Sequence, residues 1–294
     1  MGFSKLPYLS LSDYLKEKFG GKVKKVSLDA GFSCPNRTKN ERKGGCFWCD
    51  AYGSGPENQG RDWFERLESE TKRLVGKNCK GVIAYFQAFT NTFGDPEKLE
   101  EIYKKSLSID GVVGIAIGTR PDCLDDDVLK ILDELNKKTF LWVEIGMQSR
   151  HNQTLKLCNR RHSHEDTVVA VEKLKERKTL TVLHLIAGLP EESEEMIIES
   201  FKECARLKPW GVKFHPLHIV KGSAFEEWFK KGKIKLLSFD EYVNLAVQFL
   251  KIVPPETIIH RITGERAEGI LIAPKWCLDK NRVRNEIFRK LVQN

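Results

Sequence analysis

The chain reads as an α/β protein built on parallel strands. Short β-rich runs alternate with longer helical ones, the strands recur roughly thirty residues apart, and the unusual polar residues follow the strands' C-terminal ends. Six such βα units call for right-handed crossovers, giving either an open doubly wound sheet or a barrel-like arc.

The predicted strands are Lys24–Leu28, Gly81–Phe86, Val112–Gly118, Phe140–Ile145, Leu180–Ile186 and Val212–Leu217, each a short β-rich segment. Between them, apolar residues at helical spacing predict helices over Asp62–Val75, Pro96–Ser108, Leu124–Lys137, His164–Lys178 and Pro190–Leu207. Asp95 before Pro96 supplies an N-cap and a first-turn residue whose missing N–H costs nothing there. Pro190 followed by Glu191, Glu192, Glu194 and Glu195 suits a helix N-terminus, where carboxylates meet the positive end of the dipole. Ser238 and Glu241 have the spacing of a capping box, so the chain beyond about residue 223 is expected to be folded. The expected organisation is a core over residues 1–222 and a C-terminal extension, 223–294, packed on it. There is no internal repeat.

At 294 residues and 40% hydrophobic content the chain can bury one large core or two modest ones, and nothing in it resembles a disordered tract. The first residues lack the apolar core of a signal peptide, and no apolar run approaches the eighteen or so residues of a membrane span. A cytoplasmic location with no membrane partner is expected. Eight cysteines are too sparse for a disulfide scaffold. Cys79, Cys123, Cys158, Cys204 and Cys277 are scattered and read as packed or incidental thiols. A formal charge of +8 and a pI near 9.0 tilt the chain towards polyanionic partners, although any single lysine run reads as a solvated face.

Chemistry concentrates in one loop. Cys34-Pro-Asn-Arg37 followed by Gly44-Gly45-Cys46-Phe-Trp-Cys49 places three thiols near one another with no fourth ligand. A closed zinc site wants four ligands, whereas three cysteines on a 4Fe-4S cluster leave one iron open. An incomplete or shared zinc site, or unrelated thiols, are the competing readings. Gly44 and Gly45 let the backbone wrap a bulky group, and Trp48 can lie beside a ligand. The remaining strand ends carry Gln87–Thr92, Thr119–Asp122, Gln148 with Ser149, Asn159 with Arg160, Gly188–Pro190, and Lys213, His215, His218 and Lys221. In parallel α/β folds that edge builds the active site, so these groups should converge on one cavity mouth.

These motifs resemble those of radical S-adenosylmethionine (SAM) enzymes, in the branch with a long spacing between the first two cluster cysteines. Val143-Glu-Ile-Gly-Met-Gln-Ser149 and Leu185-Ile-Ala-Gly-Leu-Pro190 resemble strand ends of oxygen-independent coproporphyrinogen oxidases and elongator-type tRNA-modifying enzymes. The cysteine loop, His215-Pro-Leu-His218, Ile259-His-Arg-Ile-Thr-Gly264 and Ile272-Ala-Pro-Lys-Trp276 resemble more narrowly a bacterial family. Some of its members are tied to wobble-uridine modification of tRNA.

The resemblance implies a partial (β/α)6 TIM-like barrel with a small C-terminal extension. It implies that Cys34, Cys46 and Cys49 ligate three irons of a 4Fe-4S cluster while SAM chelates the fourth and yields a 5′-deoxyadenosyl radical. Gln87, Thr90 and Asn91 would meet the amino group of SAM, in a stretch lacking the Gly-Gly-Glu spelling of many relatives. Gln148 and Arg160 would touch the cofactor, a guanidinium suiting its carboxylate. Glu144 would bond ribose or cap the strand edge, His184 stands where some relatives bind ribose through an acid, and Gly188 would admit the adenine side. His215, His218, Lys221, His260, Arg261, Trp276 and Lys280 would form the substrate side, cations clamping phosphate and Trp276 stacking on a base. The implied reaction removes the carboxymethyl group of 5-carboxymethylaminomethyluridine in tRNA to leave 5-aminomethyluridine. A flavodoxin or ferredoxin would donate electrons and a separate methyltransferase would act next. Two other readings stand beside it: a radical enzyme on a small molecule such as a tetrapyrrole, and a non-catalytic nucleic-acid protein stabilised by zinc.

Overall fold

A curled parallel sheet frames the molecule. The computed structural model describes residues 6–37, 44–53, 55, 62–76, 79–264 and 268–293. Its strands are β1 (Val23–Leu28), β2 (Gly81–Phe86), β3 (Val112–Thr119), β4 (Phe140–Gln148), β5 (Leu180–Ala187) and β6 (Gly211–Pro216). The short β7 (Ile219–Val220) leaves the sheet, β8 (Ile258–Arg261) rejoins it beside β6, and β9 (Leu271–Ala273) pairs antiparallel with β7. All six pairings in the order β1-β2-β3-β4-β5-β6-β8 are parallel, and helices cover the convex face. This is a partial TIM barrel, the arc rather than the flat sheet.

The helices are α1 (Leu11–Lys18), α2 (Trp63–Leu74), α3 (Pro96–Leu107), α4 (Asp126–Lys138), α5 (Asn152–Leu157), α6 (His164–Glu176), α7 (Glu194–Arg206), α8 (Ala224–Lys230), α9 (Phe239–Ile252) and α10 (Lys280–Gln293). The Asp95 side chain accepts from the Glu97 N–H with Pro96 in the first turn, and Ser238 and Glu241 close their capping box. Two expectations fail. The helix expected from Pro190 starts at Glu194, because Gly188 and Glu191 turn the chain through positive φ and Ser193 accepts from the Met196 N–H as N-cap. The sheet has a seventh strand, β8, so the segment beyond residue 222 completes the sheet instead of only packing on it.

Period-two alternation divides the strands between two environments. Val82, Ala84 and Phe86 face the helices, while Ile83 and Tyr85 face the concave side. At the N-terminal end of the arc, Leu11 and Leu15 of α1 plug the concave face with Ile83, Trp142 and Ile258. Above that plug the concave side turns polar. A bulge in the β6–β8 register lets both His260 and Arg261 face inward. His260 packs edge-on against Trp142 and Trp210, and Arg261 reaches the cavity above.

Close strand packing yields a first prediction. A Cβ at Gly114 would lie 2.5 Å from the Phe140 carbonyl oxygen and 2.8 Å from Ile83 Cδ1, whereas one at Gly94 would meet nothing within 4 Å. Gly114→Ala should cost about 1–3 kcal/mol in denaturant unfolding and Gly94→Ala should not destabilise. A second concerns acid. Glu203 of α7 accepts both Arg206 nitrogens at 2.7 Å and lies 2.8 Å from His164 Nε2 of α6. The Arg206 bonds, against the opposing effect of burial and with help from His164, lower its pKa from 4.5 to about 2. Between those values the unfolded chain binds a proton that the folded one refuses, so this stabilisation, complete above pH 4.5, is lost as pH falls towards 2. Glu203→Gln should flatten the dependence of Tm on pH in that window.

Candidate active site

The cysteine loop follows β1 and is shaped by glycines. Gly44 and Gly45 have φ of 81° and 99°, and a Cβ at Gly45 would lie 2.9 Å from Arg37 Nε. Arg37 in turn donates to the Asp50 carbonyl at 2.6 Å, binding the two halves of the loop. Asn159 donates to the Gly45 carbonyl at 2.8 Å, and the Phe47 N–H donates to the Cys158 carbonyl at 3.1 Å, tying the loop to the end of β4–α5. Residues 38–43, between the first two cysteines, lie outside the described residues.

Nitrogen donors face the Cys46 thiol. Arg160 Nη1 lies 3.4 Å from Cys46 Sγ, Asn36 Nδ2 lies 3.6 Å from the same sulfur, and Arg160 Nη2 donates to the Gly146 carbonyl at 3.0 Å. Arg120, held by Asp122 at 2.7 Å, donates to the Arg160 carbonyl at 2.8 Å and so fixes the second arginine. The Cys46 thiol is held well below its ordinary value, first by a hydrogen bond with Cys49 and then, against burial, by Arg160 and Arg120. A thiolate at neutral pH is the form that ligates iron.

One cavity at the C-terminal rim brings together Cys49, Gln87, Glu144, Gln148, Arg160, His184, His215, His218 and Arg261. Its floor is a buried network. Lys213 pairs with Glu144 and donates to Tyr85 Oη at 2.8 Å, while Glu144 also accepts from Tyr85 at 2.6 Å and from Trp142 Nε1 at 3.0 Å. Glu144 is thus occupied by protein donors. Burial opposes its charge, but Lys213, Lys25 and His260 outweigh that and keep its pKa below the carboxylate range.

Other expected residues lie elsewhere. Thr90 and Asn91 are buried outside the cavity lining, the Thr90 N–H donating to the Ser33 carbonyl and Asn91 Nδ2 to the Gly118 carbonyl at 2.7 Å. Gly188 lines a separate cavity against Leu237. His260 is enclosed beneath the floor, and Trp276 stacks on Tyr242 at 5.3 Å and donates to the Leu237 carbonyl. Lys221 and Lys280 are exposed outside the cavity lining. Lys213, Tyr85 and Arg120 join the site without having been assigned roles. An inward lysine two residues before His215 was the available signal for Lys213, and the Thr119-Arg-Pro-Asp122 cluster for Arg120.

The Radical SAM superfamily description matches residues 37–204, and the Radical_SAM C-terminal domain matches residues 209–293. This chain belongs to the radical SAM superfamily. It is 44% identical over 287 residues to YtqA of Bacillus subtilis, covering 97% of this chain and 89% of that protein. It is 33% identical over 198 residues to the tRNA uridine(34) acetyltransferase of Methanocaldococcus infernus, covering 66% of this chain and 35% of that one. Among solved structures, Methanocaldococcus infernus Elp3 shares its fold with a TM-score of 0.67 at 23% identity, covering 77% of this chain and 59% of that chain. Coproporphyrinogen III oxidase of Escherichia coli matches with a TM-score of 0.50 at 17% identity, covering 78% and 51%.

The radical SAM enzyme uses a 4Fe-4S cluster and SAM. The residues present fit both. Three cysteines outside any disulfide belong to one arginine-flanked loop, and Gln148 Oε1 and Arg160 Nε are buried without hydrogen-bond partners. An acceptor and a guanidinium N–H of this kind suit an ammonium and a carboxylate.

Gly146 gives the test. A Cβ there would lie 2.5 Å from Arg160 Nη2 and 2.7 Å from Gln148 Nε2. Gly146→Ala should weaken SAM binding by about tenfold or more, measured calorimetrically on cluster-loaded enzyme. Unchanged affinity would remove Arg160 and Gln148 from the SAM site.

Proposed function

We propose that this radical SAM enzyme acts on uridine 34 of tRNA, removing the carboxymethyl group of 5-carboxymethylaminomethyluridine to leave 5-aminomethyluridine. The observation that carries this reading is the 33% identity, over 198 residues, to an enzyme whose name specifies uridine 34 of tRNA. The charge of +8 supports a nucleic-acid substrate, since a positive field favours encounter with phosphate. An anticodon loop presents its bases unpaired, so a rim cavity can take base 34 without opening a duplex.

When bound, the cluster and SAM supply a 5′-deoxyadenosyl radical that abstracts a hydrogen atom. Cys34, Cys46 and Cys49 would hold the cluster, and Arg160 and Gln148 would orient SAM beside it. The hydrogen would come from the carbon between the amine and the carboxylate of the arm. Loss of one electron to an external one-electron acceptor and of one proton would give the imine, and addition of water would release glyoxylate and the aminomethyl product. A separate methyltransferase would then act on that amine.

Nucleoside mass spectrometry of tRNA from cells with and without the enzyme tests this reading. Loss of the enzyme should accumulate 5-carboxymethylaminomethyluridine and abolish its aminomethyl and methylaminomethyl products, with Cys46→Ala equivalent to the deletion. An unchanged profile would overturn the tRNA assignment and move the substrate to small molecules such as tetrapyrroles.

A further inference from the structure

The turn that carries two of the cluster cysteines is gripped at its corner from two sides. The Cys49 N–H donates to the Cys46 carbonyl at 2.9 Å, closing a β-turn with Phe47 and Trp48 at its centre. The Phe47 N–H donates to the Cys158 carbonyl on one side, and the Phe47 carbonyl accepts from the Phe225 N–H at 3.0 Å on the other. Phe225 belongs to α8, which follows β7 in the region matched by the C-terminal domain description. That region, expected on the substrate side, therefore reaches the cofactor loop as well.

The local chemistry of α8 explains why it docks there. A helix start leaves backbone N–H groups without intrahelical partners. Ser223 stands at the N-cap but makes no side-chain cap bond, because its hydroxyl donates to the Val220 carbonyl at 2.8 Å. The Phe47 carbonyl takes one of the N–H groups left over. Rings reinforce the backbone contact: Phe47 packs edge-on against Phe225 at 5.9 Å and against Trp228 at 5.5 Å, and those two rings lie 5.5 Å apart. Phe225 is fully buried and shares one apolar cluster with Cys46, Trp48, Ile219 and Ile234.

We propose that Phe225 and Trp228 are positioning residues for the iron–sulfur cluster, holding the Cys46–Cys49 turn, through Phe47, in the conformation that ligates iron. A set of three cysteines has no spare thiolate, so each opening of this turn strips ligands from the cluster. Packing on Phe47 opposes that local opening. The effect is independent of which substrate the chamber takes, so it stands or falls apart from the tRNA reading.

The experiment follows cluster loss from anaerobically reconstituted full-length enzyme into an iron(II) chelator, bathophenanthroline, beside the Tm of each apo-protein. Trp228→Ala should shorten the cluster lifetime by about tenfold, the effect of losing two aromatic contacts. Trp228→Leu, a milder change that keeps the site apolar, should fall between Trp228→Ala and the wild type, and Trp228→Phe should restore most of the lifetime. The EPR signal of the reduced cluster should broaden in the same order as the cysteine positions become less uniform. Leu250→Ala, in α9 against the main core, should lower Tm and leave lifetime and EPR signal as in the wild type. A flat Trp228 series, or a Leu250→Ala lifetime as short as that of Trp228→Ala, would overturn the positioning role and reduce α8 to general stability.

Discussion

Lys213 and Glu144 can be buried on the concave face of the sheet only because they meet. An ionised side chain taken out of water alone costs several kcal/mol, and stripping one partner from a buried pair costs about 3–5 kcal/mol. Here Tyr85 and the Trp142 indole complete the hydrogen bonding that such a pair needs. Burial draws the Lys213 pKa down to about 7 even with Glu144 beside it, so Glu144 is the firmer of the two charges. The pair ties β4 to β6 and divides the arc in two. Below it lie the aromatic rings of Trp142, Trp210 and His260 with the α1 plug; above it lies the reaction chamber.

A second dependence runs through the arginines. Sulfur charge at the loop needs cations close by, and Arg160 supplies one while also holding the Gly146 carbonyl of β4. Arg120, from the end of β3, grips the backbone at Arg160 and Arg161 and is held by Asp122. The cluster loop is thereby keyed to two neighbouring strand ends instead of hanging from β1 alone. Gln148, at φ 65°, shows that the end of β4 adopts an uncommon backbone conformation at the point where its side chain joins the site.

Strand ends and helix caps were legible in the sequence because their signals are local: alternation, a capping aspartate, a capping box. β8 was not. Its four residues follow Pro254 and Pro255 and have too little pattern of their own, and pairing with β6 makes them a strand. The cysteine loop was legible from three thiols and two glycines, and Gln87, Arg120, Gln148, Arg160, His215 and His218 line one cavity, whereas Gly188 and Lys221 lie outside it. The pairing of Lys213 with Glu144 was not legible, since the two lie 69 residues apart and no local pattern joins them. Trp276 and His260 show the same limit. A ring that stacks on a base and a ring that stacks on Tyr242 or between two tryptophans have the same sequence signature.

The register that hides Lys213 also gives the chamber its direction. Because side chains alternate, placing Lys213 inward places His215 inward two residues later, and the bulge before Arg261 turns that guanidinium to the same side. One end of the chamber is therefore set by loop chemistry, with arginines answering thiolate, and the other by sheet geometry, with imidazoles and Arg261 on adjoining strands. A cofactor held at the first end would leave the second for the substrate, so the carbon between amine and acid, which the proposed reaction must oxidise, would have to enter the chamber from the side away from the cysteine loop.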